Sequence, residues 1–184
     1  MSGYLKRIVS WEHALVSRLH AIEFHPFLNR LLMLFVRVGD GWVWVIVAGI
    51  LYWALSWARF KSVVGQAVLA VAISLPIYWG FKYLFRRSRP YIAIDGVSAR
   101  VPPLDRYSFP SGHTMNNLAV AMTLALNLPH LWPLALAIPL TLGFLRILYG
   151  VHFLTDIVGG ALLGAMSSLS AHWLFPHMFP HLFS

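Results

Sequence analysis

Residues 107–156 read YSFPSGHTMNNLAVAMTLALNLPHLWPLALAIPLTLGFLRILYGVHFLTD. From Tyr107 to Leu145 this stretch holds no Asp, Glu, Lys or Arg. Pro129, His130 and Pro133 divide it into two apolar helical segments, the first of them short against the roughly 20 mostly apolar residues that a spanning helix needs. Other windows free of those four residue types run over 41–58, 62–81 and 157–184, and Pro176 is expected to end the last helix. The windows predict spans at about 41–58, 62–85, 113–128, 132–150 and 155–175.

Composition agrees. Apolar residues make up 59 % of the 184 and charged residues 11 %, where soluble domains carry roughly 45–50 % and about 25 %. A water-soluble surface needs more ions than this. The chain has no Cys, which excludes a disulfide framework and thiolate metal sites. Its formal charge of +8 suits flanks of membrane spans and anionic headgroups better than nucleic acid.

The first 40 residues differ. Ile8, Trp11, Leu15, Leu19 and Ile22 recur at helical spacing, with Lys6, Arg7, Ser10, His13, Ser17 and Arg18 elsewhere around the helix. That pattern predicts an amphipathic helix in the membrane interface. The charges leave no clean apolar core for a signal peptide. His25-Pro26 breaks the helix, and 27–38 leads to the first span. A sixth span within 12–39 would bury several charges, at about 2.5–3.5 kcal/mol each at the bilayer centre. The fold expected is all-α: one domain over 1–184, with an interfacial segment 1–40 and a bundle of five to six spans over 41–184. The long polar connection 86–112 is the place for function.

Charges beside membrane helices are costly and ask for a reason. They fall in three clusters: Lys82 with Arg89-Pro90, Pro110-Ser111-Gly112-His113, and Arg146 with His152 and Asp156. Successive spans run antiparallel, so all three clusters share one membrane face. Lys82, Arg89 and Arg146 can neutralise a dianion. Ser111-Gly112 opens a helix whose N–H groups can face an anion. His152 and Asp156 are four apart and share a helix face, so the carboxylate can orient the imidazole as a nucleophile. His113 can act as proton donor. The set suits phosphoryl transfer, which depends on positioning and charge stabilisation.

The three clusters resemble the signature of the type 2 phosphatidic acid phosphatase superfamily. That signature reads Lys, six residues, Arg-Pro; then Pro-Ser-Gly-His; then Ser-Arg, five residues, His, three residues, Asp. Lys82, Arg89, Pro90, Pro110–His113, Arg146, His152 and Asp156 match it, and Leu145 stands where Ser is usual. The resemblance implies a membrane bundle that hydrolyses lipid phosphomonoesters or diphosphates with no metal or other cofactor. His152 would form phosphohistidine, Asp156 orient it, and His113 protonate the leaving group. Lys82, Arg89, Ser111, Gly112 and Arg146 would bind phosphate.

Undecaprenyl diphosphate ranks first as substrate, then phosphatidylglycerophosphate or phosphatidate. A lipid phosphotransferase using the same histidine and a lipid A phosphatase are the alternatives. A haem- or quinone-binding subunit is a distant one, since it would need paired intramembrane histidines and no cation cluster. The expected partners are a membrane lipid phosphate and the bilayer, with no nucleic acid and no oligomeric state read from the chain. The resemblance places the site at the outer face of the cell membrane, whereas the spread of Lys and Arg points to the cytoplasmic face.

Other residues carry open or bland readings. Arg86 and Arg87 suit either headgroups or substrate. Asp40, between Gly39 and Gly41, either pairs with Arg37 or ends a helix. His13, His20, His25, His172, His177 and His181 read as interfacial, because Pro176 and Pro180 break any common metal-binding face for the last three.

Overall fold

A computed structural model describes residues 3–180; His181 lies outside the described residues. They form helices and no strand. In chain order these are Gly3–His20 (α1), Pro26–Val38 (α2), Trp42–Ala54 (α3), Trp57–Phe85 (α4), Pro90–Ala93 (α5), Gly112–Asn127 (α6), Trp132–Leu148 (α7) and Leu154–Met178 (α8), with a single 3-10 turn at Pro129–Leu131. Local chemistry sets the boundaries. Pro26, Pro90 and Pro133 sit in the first turns of α2, α5 and α7, where a missing N–H costs nothing. The Ser111 hydroxyl accepts the Thr114 amide and starts α6.

Helix α6 lies at the centre, packed on α4, α7 and α8. Small residues let these helices approach, as packing in lipid requires. Ala70, Ala119 and Ala171 meet where α4, α6 and α8 cross. A Cβ at Gly160 would come within 2.6 Å of the Ser111 carbonyl oxygen, and one at Gly164 would strike the Met115 carbonyl. Both obstacles are backbone, so α8 can lie this close to α6 only with glycine at these positions.

Polar side chains within the bundle are paired with one another. Thr123 and Ser168 hydroxyls bond at 2.9 Å across α6 and α8. Near the other end, Gln66 takes Asn127 and the exposed His172 as partners.

Three helical stretches are long and apolar enough to cross a bilayer: Trp57–Ala93, Pro129–Leu148 and Leu154–Met178. A fourth is counted if α2 and α3, which meet at 69°, form one broken span. The expected span at 41–58 is therefore shorter in the structure, where α3 stops at Ala54. The expected span at 113–128 is the helix α6, whose 16 residues are too few to count among these crossing stretches, so the described residues give three or four and not the five to six expected.

Helix α1 packs on the bundle through one narrow face. Glu12, Val16 and His20 are buried, while Trp11 and Ile22 are exposed. Val16 joins Val97, Ile147 and Phe153 in a small core. The imidazole of His20 bonds the Leu148 carbonyl at 3.1 Å, so His20 is an inward-facing anchor and not an interfacial residue. Arg100 reaches the carbonyls of His20 and Ile22 at the end of α1.

Gly164→Ala is expected to destabilise the protein by about 1–3 kcal/mol, the usual range for overpacking a tight contact. Gly80→Ala, whose added methyl meets nothing within 4 Å, should leave the midpoint unchanged. Thermal melts of the two variants in one detergent check this.

Candidate active site

Four chain segments converge at one end of the bundle: the end of α4, the start of α6, the end of α7 and the start of α8. The turn from α7 to α8 is built around Gly150. Its φ of +72° favours glycine, and a Cβ there would lie 2.7 Å from the Ser98 carbonyl oxygen. The amides of Val151 and His152 fold back onto the Arg146 carbonyl at 3.1 and 3.3 Å. That turn sets His152 beside the end of its own preceding helix.

His152 is buried, with 2 % exposure. Arg89 donates from Nη1 to its Nε2 at 3.1 Å and to the Val151 carbonyl at 2.8 Å. An acceptor at Nε2 requires the proton at Nδ1. That nitrogen faces Asp156 Oδ2 at 3.4 Å. Burial first, and then the charges of Arg89, Arg146 and Lys82, hold the His152 imidazole well below its ordinary pKa. A neutral ring with a lone pair on Nε2 aimed at a guanidinium is what a phosphorus nucleophile needs.

Asp156 is fully buried. Its Oδ2 accepts the Phe153 amide at 2.8 Å, closing a cap on α8. Its Oδ1 takes Arg87 Nη1 at 2.7 Å.

His113 stands across the cleft. Its Nε2 is paired with Asp40, and Arg146 Nη2 lies 2.6 Å from its Nδ1. Arg146 Nη2 also lies 3.8 Å from the Asp40 carboxylate. The sequence left Asp40 between pairing with Arg37 and ending a helix; in the fold it faces His113. No spacing rule joins residues 40 and 113, so sequence reasoning had no means to find the pair.

The second carboxylate missed was Asp105. Its Oδ1 lies 2.6 Å from Lys82 Nζ and 2.9 Å from Arg89 Nη2, and its Oδ2 accepts from Tyr78. It thus occupies the cation clamp expected to hold phosphate. Burial alone would raise its pKa, but the hydrogen bonds from Lys82 and Tyr78 and the charges of Lys82 and Arg89 outweigh this and lower it.

A cleft of about 450 Å³ opens here, lined among others by Asp40, Arg89, Asp105, Gly112, His113, Arg146 and His152. Lys82, Ser111 and Asp156 stand behind its wall. The Ser111 hydroxyl is engaged by Thr114, whose amide and hydroxyl lie at 3.4 and 3.2 Å. All eight expected residues are thus gathered at one end, in two tiers. Arg86 is exposed and bonds back to its own helix at the Tyr83 carbonyl, whereas Arg87 points inward. Leu145, at the usual Ser position, is buried in the apolar core with Val36 and Leu148.

A bundle of apolar helices with histidines, arginines and a lysine gathered at one end defines a membrane protein with a buried cationic site. Residues 63–179 match the PAP2 superfamily, and the chain belongs to it. It is a membrane lipid phosphatase of the kind that acts on lipid phosphate esters without a metal ion.

The chain is 28 % identical over 142 residues to an undecaprenyl-diphosphatase of Sulfolobus acidocaldarius, covering 77 % of this chain and 68 % of that one. It is 34 % identical over 131 residues to a decaprenylphosphoryl-5-phosphoribose phosphatase of Mycolicibacterium smegmatis, covering 71 % and 68 %. Aquifex aeolicus LpxE superposes with a TM-score of 0.71 at 26 % identity, covering 86 % of this chain and 92 % of that one.

Asp105 gives a pH test. A carboxylate with a lowered folded pKa stabilises above its unfolded pKa, about 3.9, and that stability is lost as pH falls through the folded pKa. Asp105→Asn should therefore lower the melting midpoint at neutral pH. The gap to the wild type should close as pH falls below about 4; a gap that stays constant would contradict the role given to the carboxylate.

Proposed function

We propose that this phosphatase hydrolyses a prenyl diphosphate, with undecaprenyl diphosphate first, through a phosphohistidine at His152. Phosphatidylglycerophosphate and phosphatidate rank next. The observation that carries the reading is continuity between two cavities. The polar cleft shares Trp44, Val71 and Val120 with an apolar groove of about 390 Å³. The groove runs between α3, α4 and α6 and is lined by Val45, Val47, Ala48, Leu51, Val64, Ala67, Val68 and Leu124 as well. A chain-like apolar tail laid in it brings its phosphate to Arg89, His113, Arg146 and His152. The named activities of the similar proteins from Sulfolobus and Mycolicibacterium point the same way.

The steps follow from the geometry. An incoming phosphate displaces the Asp105 carboxylate from Lys82 and Arg89, exchanging one anion for another. His152 Nε2 attacks phosphorus while Asp156 holds the Nδ1 proton. The bond from phosphorus to the leaving oxygen breaks, and doubly protonated His113, supported by Asp40, gives that oxygen a proton. Water then attacks the phosphohistidine, and His113 takes a proton from it. The N–P bond breaks, inorganic phosphate leaves and His152 is restored. Arg89 and Arg146 neutralise charge on the equatorial oxygens throughout.

Purified protein should release phosphate from a long-chain prenyl diphosphate in EDTA, and His152→Ala should release none. Retained turnover in that variant would falsify the phosphohistidine step. Because the His152 pKa is depressed, the acid limb of kcat/KM should fall below about pH 6.5, the ordinary value for imidazole. Val71→Trp should raise KM for the long-chain substrate and leave a short water-soluble phosphate ester unaffected; equal effects on both would remove the groove from the reading. The proposal includes a site at the outer face of the cell membrane, a reading that the family resemblance supports. Exposed Ser98, replaced by Cys, should then react with an impermeant thiol reagent in intact cells, and reaction only after lysis would reverse the orientation.

A further inference from the structure

Glu12 is an acidic residue of the N-terminal helix, yet it is 1 % exposed. It lies outside the family-matched region, which begins at residue 63. Burying a carboxylate is costly unless it is paired and hydrogen-bonded. Glu12 is fully engaged. Its Oε1 accepts the Thr155 amide and hydroxyl, both at 2.8 Å. Its Oε2 accepts Arg87 Nη2 at 2.7 Å. The other arm of the same guanidinium, Nη1, reaches Asp156 Oδ1 at 2.7 Å and Thr155 Oγ1 at 2.6 Å. One planar fork thus bridges two buried carboxylates, a geometry that Lys cannot reproduce.

The grip extends to the neighbouring residue. The Arg87 guanidinium lies 4.2 Å from the centre of the Phe153 ring, and His13 of α1 stacks on Phe153 at 5.4 Å. Phe153 follows His152 directly. Helix α1 therefore holds the first turn of α8 through Glu12, His13 and Val16, on the side of Asp156 away from the nucleophile.

We infer that Glu12 and Arg87 are positioning residues, forming with Asp156 a relay that sets the orientation of His152 and makes the docked N-terminal helix part of the catalytic apparatus. The inference rests on the phosphohistidine reading above. Asp156 has two oxygens. One faces His152 and the Phe153 amide, and the other is fixed only by Arg87 among the contacts described. Without Arg87 in place, the carboxylate is free to turn, and two buried negative groups face each other uncompensated. Without Glu12, Arg87 loses the partner that holds its plane toward Asp156. Binding of the lipid phosphate uses Lys82, Arg89 and Arg146 and does not involve the relay. The relay should therefore act on kcat and leave KM alone.

The test uses full-length protein in lipid nanodiscs with a long-chain prenyl diphosphate. Glu12→Gln is nearly isosteric and keeps an acceptor for Thr155. It should lower kcat and the rate of phosphoenzyme formation about tenfold or more, the scale at which groups that orient a reactive imidazole act. KM should stay within about twofold, because uniform binding is untouched. Arg87→Lys should not rescue the loss seen in Arg87→Met. The double variant Glu12→Gln/Arg87→Met should be no slower than Arg87→Met alone, since members of one relay are not additive. Arg86→Met is the control and should match the wild type.

Unchanged kcat in Glu12→Gln overturns the relay. So does a loss that disappears once rates are scaled to the folded fraction from melting curves. His152→Ala is run beside these variants. If it is inactive while Glu12→Gln is unaffected, only the relay fails. If it remains active, the phosphohistidine reading fails and the relay falls with it.

Discussion

Three buried cations, Lys82, Arg89 and Arg146, lie at the end of an apolar bundle, each at most 3 % exposed. Removing such charges from water is costly, and a partner of opposite sign must offset that cost. Asp105 serves Lys82 and Arg89, and Asp40 lies near Arg146. Both carboxylates come from connections between helices. They can therefore give way to a phosphate while the helices that carry the cations stay packed. The cation cluster is thus neutralised by side chains of the connections and not of the helices.

The rest of the architecture keeps that cluster in place. Glycines at 160 and 164 let α8 lie against α6, which brings Asp156 and His113 to the same end. Gly150 turns the chain so that His152 returns beside Arg146. Helix α1 closes the outer side through Glu12 and Arg87. These contacts combine close backbone approach with charge-assisted hydrogen bonds. The hydrogen bonds are stronger in a low-dielectric setting than in water.

Much of this was legible in the chain. The charge-free windows located α4, α7 and α8, because apolar length is what a bilayer selects. The antiparallel argument correctly gathered Lys82, Arg89, His113, Arg146, His152 and Asp156 at one end. The first window was read too long, since the break at Leu55–Ser56 carries no charge to mark it. The pattern of α1 also did not show which face packs on the bundle. Glu12 and His20 face inward because Arg87, Thr155 and Leu148 offer them partners, and helical periodicity does not report such partners.

The sequence by itself determined that the chain is a helical membrane protein with a cluster of cations and histidines at one end. Hydropathy and span direction are properties of local runs, and the motif spacings lie within single helix ends. Only the tertiary structure decided which carboxylates serve that cluster. Asp40, Asp105 and Glu12 meet His113, Lys82 with Arg89, and Arg87 across separations of 73, 23, 16 and 75 residues. Pairings over such distances follow from how helices pack, and a one-dimensional pattern holds no record of them.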